Sequence, residues 1–306
     1  MAIITSKAIF ERCIDKPWAV GGFIGYNMEI MQASVMGAIS VGAPVMIQAS
    51  CRVVEYAGAK MLRKMAEACS DIYGTDIILH LDHGDSVELC KRCLDEGFTS
   101  VMLECTEDKG FSQIAKETAE VVDYAHACDA VVEGEVFHTV DNEYRVWTDV
   151  QEAIDFATDT GCDSLSISCG NTHGLPSDFP KRLDIEQIRQ IHEALPKMPL
   201  VLHATSILTP ELVERVNRVG GSIPQPENFK LSELQESFHY GVTKVNSALD
   251  IKYVYTSAIR EYMLRFPSKM DPRTFTDYAR QEVMRYIAAK HTNIFMDNGR
   301  MEELGL

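Results

Sequence analysis

Eight short β-rich runs recur along this chain, and helical patterns fill the stretches between many of them. The runs are GGFIGYN (21–27), PVMIQAS (44–50), DIILHLDH (76–83), SVMLECT (100–106), AVVEGEV (130–136), SLSISCG (164–170), PLVLHAT (199–205) and VTKVNSA (242–248). They are nearly continuously apolar rather than alternating, as expected of parallel strands covered on both faces. The segments between them, such as MEIMQASVMGAISVG, SVELCKRCLDEG and DIEQIRQIHEAL, carry helical spacing. Alternation of this kind eight times over predicts an α/β protein of the (β/α)8 TIM-barrel class. A length of 306 residues suits one such barrel. The expectation is therefore a single barrel domain over residues 1–306, with a helical C-terminal extension from Ala258 to His291. The stretch 220–241 reads as an excursion before the eighth strand.

A barrel makes a second prediction, because its active site collects at the carboxyl ends of the strands. Those ends supply Asn27, Ser50, Asp82 with His83, Glu104, Glu133 and Glu135, Asn171 with His173, His203, and Asn246. The strand starts carry nothing comparable. Composition narrows the function further. A formal net charge of −16 argues against nucleic acid or an anionic membrane as partner, although a few local cations would suffice for an anionic substrate. No apolar run approaches the roughly 20 residues of a membrane helix. Nine cysteines, an odd number, without a secretory leader, predict reduced thiols and a cytoplasmic protein. Cys90 and Cys93 have CxxC spacing on a helical pattern and read as packing residues.

His83, His173 and His203 stand at or just beyond strand ends. Three imidazoles with an open fourth position form a catalytic zinc arrangement, and such an ion polarises carbonyls. His80, inside the same strand as His83, reads as structural. Asp82 suits proton transfer to an alkoxide. Neighbouring strand residues point to opposite faces, so Asp82 and His83 converge only if the backbone turns, which Gly84 would permit.

HLDHGDSVELCKRCLDEGFTSVM (80–102) resembles the signature of the class II, zinc-dependent ketose-bisphosphate aldolases, and the likeness continues through VEGEV, CGNTHG, PLVLH, GVTKVN and DPRTFTDYARQEV. The resemblance implies a (β/α)8 barrel and reversible aldol cleavage through a zinc-stabilised enediolate. By it, His83, His173 and His203 are the ligands of one catalytic Zn2+, and Asp82 is the acid/base at the aldehyde oxygen. A second divalent ion, used by some members, would fall to Glu104 and Glu135. Glu143 is the positional candidate for the loop base, with Asp141 behind it. Asn27, Ser50, Gly174, Ser206, Asn246 and Lys252 are the expected substrate contacts. The family's dimeric or larger assembly implies a homodimer or homotetramer.

The departures from the family pattern are grouped. The His-Gly-x-Ser-Gly loop that cradles phosphate reads His203-Ala204-Thr205-Ser206-Ile207 here. The Asn-x-Asp-Thr of the eighth strand reads Asn246-Ser247-Ala248-Leu249, the fourth-strand Asp-Gly-Ser reads Glu104-Cys105-Thr106, and of two asparagines near the first strand one remains, Asn27. A phosphate there would lose N–H donors and meet Ile207, Ala248 and Leu249. The expectation is a metal-dependent class II aldolase acting on a ketose or ketose-phosphate-like small molecule other than standard fructose 1,6-bisphosphate. The alternative is a sugar epimerase or isomerase using the same enediolate. Arg52 and Lys252 are the cations available to a carboxylate or to a phosphate at the other end.

Overall fold

The computed structural model describes residues 1–105, 109–136, 139–140, 143–144, 147–171, 182–203, 205–225 and 229–305, with backbone alone at 139–140 and 143–144. Eight parallel strands close on themselves: β1 (Val20–Ile24), β2 (Val45–Ser50), β3 (Ile77–Gly84), β4 (Ser100–Leu103), β5 (Val131–Val136), β6 (Ser164–Ile167), β7 (Leu200–Leu202) and β8 (Val242–Ser247). Each pairs with its neighbour in sequence, and β8 pairs with β1, so the (β/α)8 barrel is complete. All eight expected strands are present, β3 at the length of its run and the others one to four residues shorter than theirs. Asn27, expected at a strand end, lies beyond β1 at the start of the next helix.

Local chemistry sets the helix boundaries. Ser86, Asp149, Asp184, Thr209 and Asp271 each cap a helix by accepting a backbone N–H from its first turn. Pro210 and Pro272 then occupy the first helical turn, where no N–H is missed. Further elements escaped the sequence pattern. Ile3–Ile4 pairs with the start of β3, and the β2–β3 connection contains two helices, Cys51–Ala57 and Ala59–Tyr73. The 220–241 excursion holds the short helix Leu231–Ser237. The C-terminal extension begins earlier than expected, as helices Leu249–Arg265 and Pro272–Lys290, and continues to a short helix at Arg300–Leu304.

The helices pack on the outer faces of the strands, around Ile47, Leu79, Leu81, Val101, Val132, Leu165, Leu200 and Val245, all fully or almost fully buried. The lumen is different. Gln48, His80, Glu133 and Lys244 are at most 1% exposed, so charged and polar groups fill part of the barrel interior. Room for them is made by a glycine: a Cβ on Gly22 would lie 2.3 Å from Gln48 Oε1. All nine cysteines are free, and Cys90 and Cys93 are fully buried, with burial pushing both thiols well up. They pack, as expected. Among the described residues no helix is long and apolar enough to cross a membrane.

Candidate active site

The site is built outward from β3. His80 and Asp82 are two residues apart and share the lumen face. His83 would point away from them on a regular strand. Its φ of +54° is rare for a residue with a Cβ, and it turns the imidazole back over the barrel rim. The pairing of β3 with β4 breaks register between Leu81 and Gly84 at the same point. The turn therefore lies at His83 itself, correcting the assignment to Gly84. Gly84 is needed instead for close packing, since a Cβ there would come within 2.8 Å of Met102 O and of the Leu81 side chain.

Asp82, His83 and His203 bring one ligand atom each within 4.8 Å of one another. His203 Nδ1 lies 3.0 Å from His83 Nε2. The other nitrogen of His203, Nε2, is 2.7 Å from Glu133 Oε1. A carboxylate there requires the proton on Nε2 and leaves Nδ1 with its lone pair toward His83. His83 Nδ1 is 3.5 Å from Glu104 Oε1, which favours the matching tautomer. Two ring nitrogens with lone pairs aimed at one point, beside a carboxylate, are a donor set that a divalent cation fits. Burial pushes the His83 pKa down, but Asp82, Glu135, Glu104 and Glu133 outweigh it and the net shift is upward. The surrounding field thus favours positive charge at this point.

Asp82 is 6% exposed and strictly oriented. Its Oδ1 accepts from Asn246 Nδ2 at 2.9 Å and from Gln48 Nε2 at 3.2 Å, while Gln48 Nε2 also reaches Asn246 Oδ1 at 3.1 Å. Among the described residues no hydrogen bond reaches Oδ2, which is the oxygen left for chemistry. Asn171 holds the backbone of His203, donating to its carbonyl at 3.2 Å. Glu135 Oε2 accepts the Cys105 N–H at 2.9 Å. Burial raises the Glu135 carboxyl to about 7, against the pull of His83 and that N–H.

A cavity of about 740 Å³ opens beside His83 and Glu104, and Tyr26, Ser50, Arg52 and Lys252 also line it. Lys252 Nζ stands 5.5 Å from the centre of the Tyr26 ring. Several expected substrate contacts also make structural hydrogen bonds. Asn27 caps a helix through the Ile30 N–H and donates to Tyr255 Oη at 3.1 Å, although it also faces the cavity. Asn246 holds Asp82. Ser206 Oγ accepts the N–H groups of Ala248 and Leu249 at 3.2 and 3.3 Å. Of the remaining expectations, His173, Gly174 and Asp141 lie outside the described residues, and Glu143 is described in backbone only, on a short antiparallel strand paired with Thr139–Val140.

Sequence reasoning gave no catalytic part to Gln48, Glu133 or Lys244, and took His80 as structural. A signal was present. Each interrupts an apolar strand with a polar group, which is costly inside a barrel unless the lumen supplies partners.

Residues 4–300 match the family described as class-II fructose-bisphosphate aldolase. A fructose-bisphosphate aldolase of Xanthobacter flavus is 31% identical over 99% of this chain and 94% of its own length. One from Treponema pallidum is 31% identical over 98% of each chain. The fold of the YdjI aldolase of Escherichia coli K12 superposes with a TM-score of 0.79 at 21% identity, over 98% of this chain and 100% of that one. A match spanning nearly every residue, on a barrel whose rim gathers Asp82, His83 and His203, leaves one conclusion: the chain belongs to the class II fructose-bisphosphate aldolase family, whose chemistry is metal-dependent aldol cleavage.

Proposed function

We propose that this aldolase is zinc-dependent and cleaves a ketose or ketose phosphate held without the family's usual phosphate cradle, fructose 1,6-bisphosphate being a poor substrate. His83, His203 and His173 hold the cation, and Glu104 with Glu135 offer a place for a second divalent ion. When bound, the cation supplies a Lewis acid that polarises a carbonyl. Asp82 Oδ2 takes the proton from the substrate hydroxyl that becomes the aldehyde. The C–C bond then breaks, its electron pair passing to the ketone half, and Glu143 returns a proton to that carbon. The observation that carries the catalytic part is the pinning of Asp82 Oδ1 by Asn246 and Gln48 beside the two imidazoles. Preorganisation of this kind lets a carboxylate move a proton without first being reoriented.

The substrate part rests on Ser206. Its hydroxyl already takes the Ala248 and Leu249 N–H groups, which open the helix Leu249–Arg265. An anion at that helix start would have to displace it. Ile207 and Ala248 pack partly buried against the apolar core next to it. Arg52, Lys252 and Ser50 line the cavity; the two cations are the partners for a carboxylate or a second phosphate of the substrate, with Ser50 and Gly174 as further contacts. A homodimer or homotetramer in the cytoplasm completes the proposal.

The test is to incubate the zinc-loaded protein with ketoses, ketose phosphates and keto-acids and to follow aldehyde release by mass spectrometry. Cleavage confined to compounds lacking the first phosphate is expected. Rapid cleavage of fructose 1,6-bisphosphate would overturn the reading of Ser206, and an isomerised product without fragments would replace cleavage by epimerase or isomerase chemistry.

A further inference from the structure

Lys244 sits on β8, two residues before Asn246, and is completely buried in the barrel lumen. Its Nζ lies 2.7 Å from Glu133 Oε2. Glu133, 1% exposed, presents its other oxygen to His203 Nε2 at 2.7 Å. One carboxylate thus bridges a buried ammonium and a metal-facing imidazole. Lys244 Nζ also stands 3.3 Å from His80 Nε2, and His80 Nδ1 is 2.7 Å from Ser100 Oγ. An ammonium can only donate, so His80 Nε2 accepts and Nδ1 carries the proton toward Ser100. The downward shift of the His80 pKa, caused by burial and then by Lys244, agrees with a neutral ring. The chain of contacts Ser100, His80, Lys244, Glu133, His203 runs from the barrel interior to the rim with one donor and one acceptor at each link.

We infer that Lys244 is a positioning residue for the metal centre: through Glu133 it fixes the ring orientation and tautomer of His203, so that Nδ1 stays available at the rim. This rests on His203 being a ligand, as proposed above. The physical reason is a shortage of freedom. Glu133 is 1% exposed, so its second oxygen needs a partner from the protein, and Lys244, itself held by His80, supplies the contact that stops the carboxylate from rotating away from Nε2. A carboxylate hydrogen-bonded to the far nitrogen of a ligand histidine raises the metal affinity of that ligand, and its loss typically costs about 10–100-fold. The distinctive claim is that Lys244, which touches no ligand itself, controls that bond.

The experiment measures zinc affinity by chelator competition and the absorption spectrum of the cobalt-substituted protein, each on protein shown to be folded by circular dichroism. Lys244→Met is expected to weaken zinc binding about 10–100-fold and to alter the cobalt spectrum. Lys244→Gln, which keeps a donor to Glu133, loses less. In the double variant Glu133→Gln with Lys244→Met no buried charge is left alone, so the fold is retained, while loss of the fixed carboxylate keeps zinc affinity about 10–100-fold below the parent. Parental zinc affinity in folded Lys244→Met would overturn the inference and leave Lys244 a structural ion-pair partner. Should the single variant fail to fold, parental zinc affinity in the folded double variant would overturn it as well. If His203→Ala itself keeps its zinc, the ligand assignment fails instead.

Discussion

Two buried carboxylate–lysine pairs can be compared within this molecule. Glu133 and Lys244 lie in the barrel lumen; Asp250 and Lys290 lie where the helix Leu249–Arg265 meets the helix Pro272–Lys290. All four side chains are 3% exposed or less. In both pairs the ammonium offsets a charge that the interior would otherwise reject. What the carboxylates do with their remaining capacity differs. Asp250 is closed in by Ser247 Oγ at 2.9 Å, Tyr286 Oη at 3.0 Å and the Ile251 N–H at 3.0 Å, all of which stay inside the structure. Burial and Asp250 together push the Tyr286 phenol strongly up, keeping it a donor. Glu133 instead directs an oxygen to His203, whose opposite nitrogen reaches the rim. The same device locks a helix to its neighbour in one place and is turned toward an imidazole of the candidate site in the other.

The sharpest contrast comes from Asp82. Replacing it with Ala should lower kcat about 10²–10⁴-fold while zinc stays bound, measured by turnover and metal content. Loss of zinc as well would make Asp82 a support for the ligands rather than the proton carrier. Lys290→Met probes the other pair. It should destabilise the protein by about 3–5 kcal/mol in urea unfolding, because Asp250 is left buried without its cation. Zinc affinity of the folded fraction should not change, and a tenfold loss would erase the distinction between the two regions.

Smaller effects sharpen the picture at the rim. In zinc-free protein the Glu135 carboxyl is raised from near 4.5 to about 7. A raised carboxyl favours the folded state while it is protonated. That contribution is fully present below about pH 4.5 and is lost as the pH rises through about 7. Between those limits the zinc-free protein should lose about 1–3 kcal/mol that Glu135→Gln does not lose, seen as a flatter dependence of the unfolding midpoint on pH. Parallel profiles would mean that Glu135 does not carry the effect. Last, Gln48→Leu removes one of the two donors to Asp82 Oδ1 and should reduce kcat by about tenfold, with KM and zinc affinity unaltered. An unchanged kcat would show that Asn246 alone suffices.

Much of the candidate site is legible in the sequence. Asp82, His83 and His203 stand at strand ends because a parallel barrel delivers its carboxyl termini to one rim, and hydrophobic runs mark where the strands stop. The cradle departures at Ala204, Ile207, Ala248 and Leu249 are also visible in the sequence. The role of Ser206 is not, since its partners at Ala248 and Leu249 lie more than 40 residues away along the chain. The sequence marks Asn27 and Asn246 as candidate substrate contacts; it does not show that Asn27 also caps a helix or that Asn246 also holds Asp82.

The order of strands and helices follows from the chain itself, because periodic burial of apolar side chains is a local property that each segment carries. So do the residue types at the rim, and with the family match, the chemistry. The tertiary structure decided what those residues hold. Only closure of β8 against β1, and of β3 between β2 and β4, sets Lys244 beside Glu133 and His80, residues 111 and 164 positions apart from it in sequence. The left-handed turn at His83 is likewise a tertiary outcome: a residue with a Cβ accepts that backbone only when the packing around it outweighs the local preference.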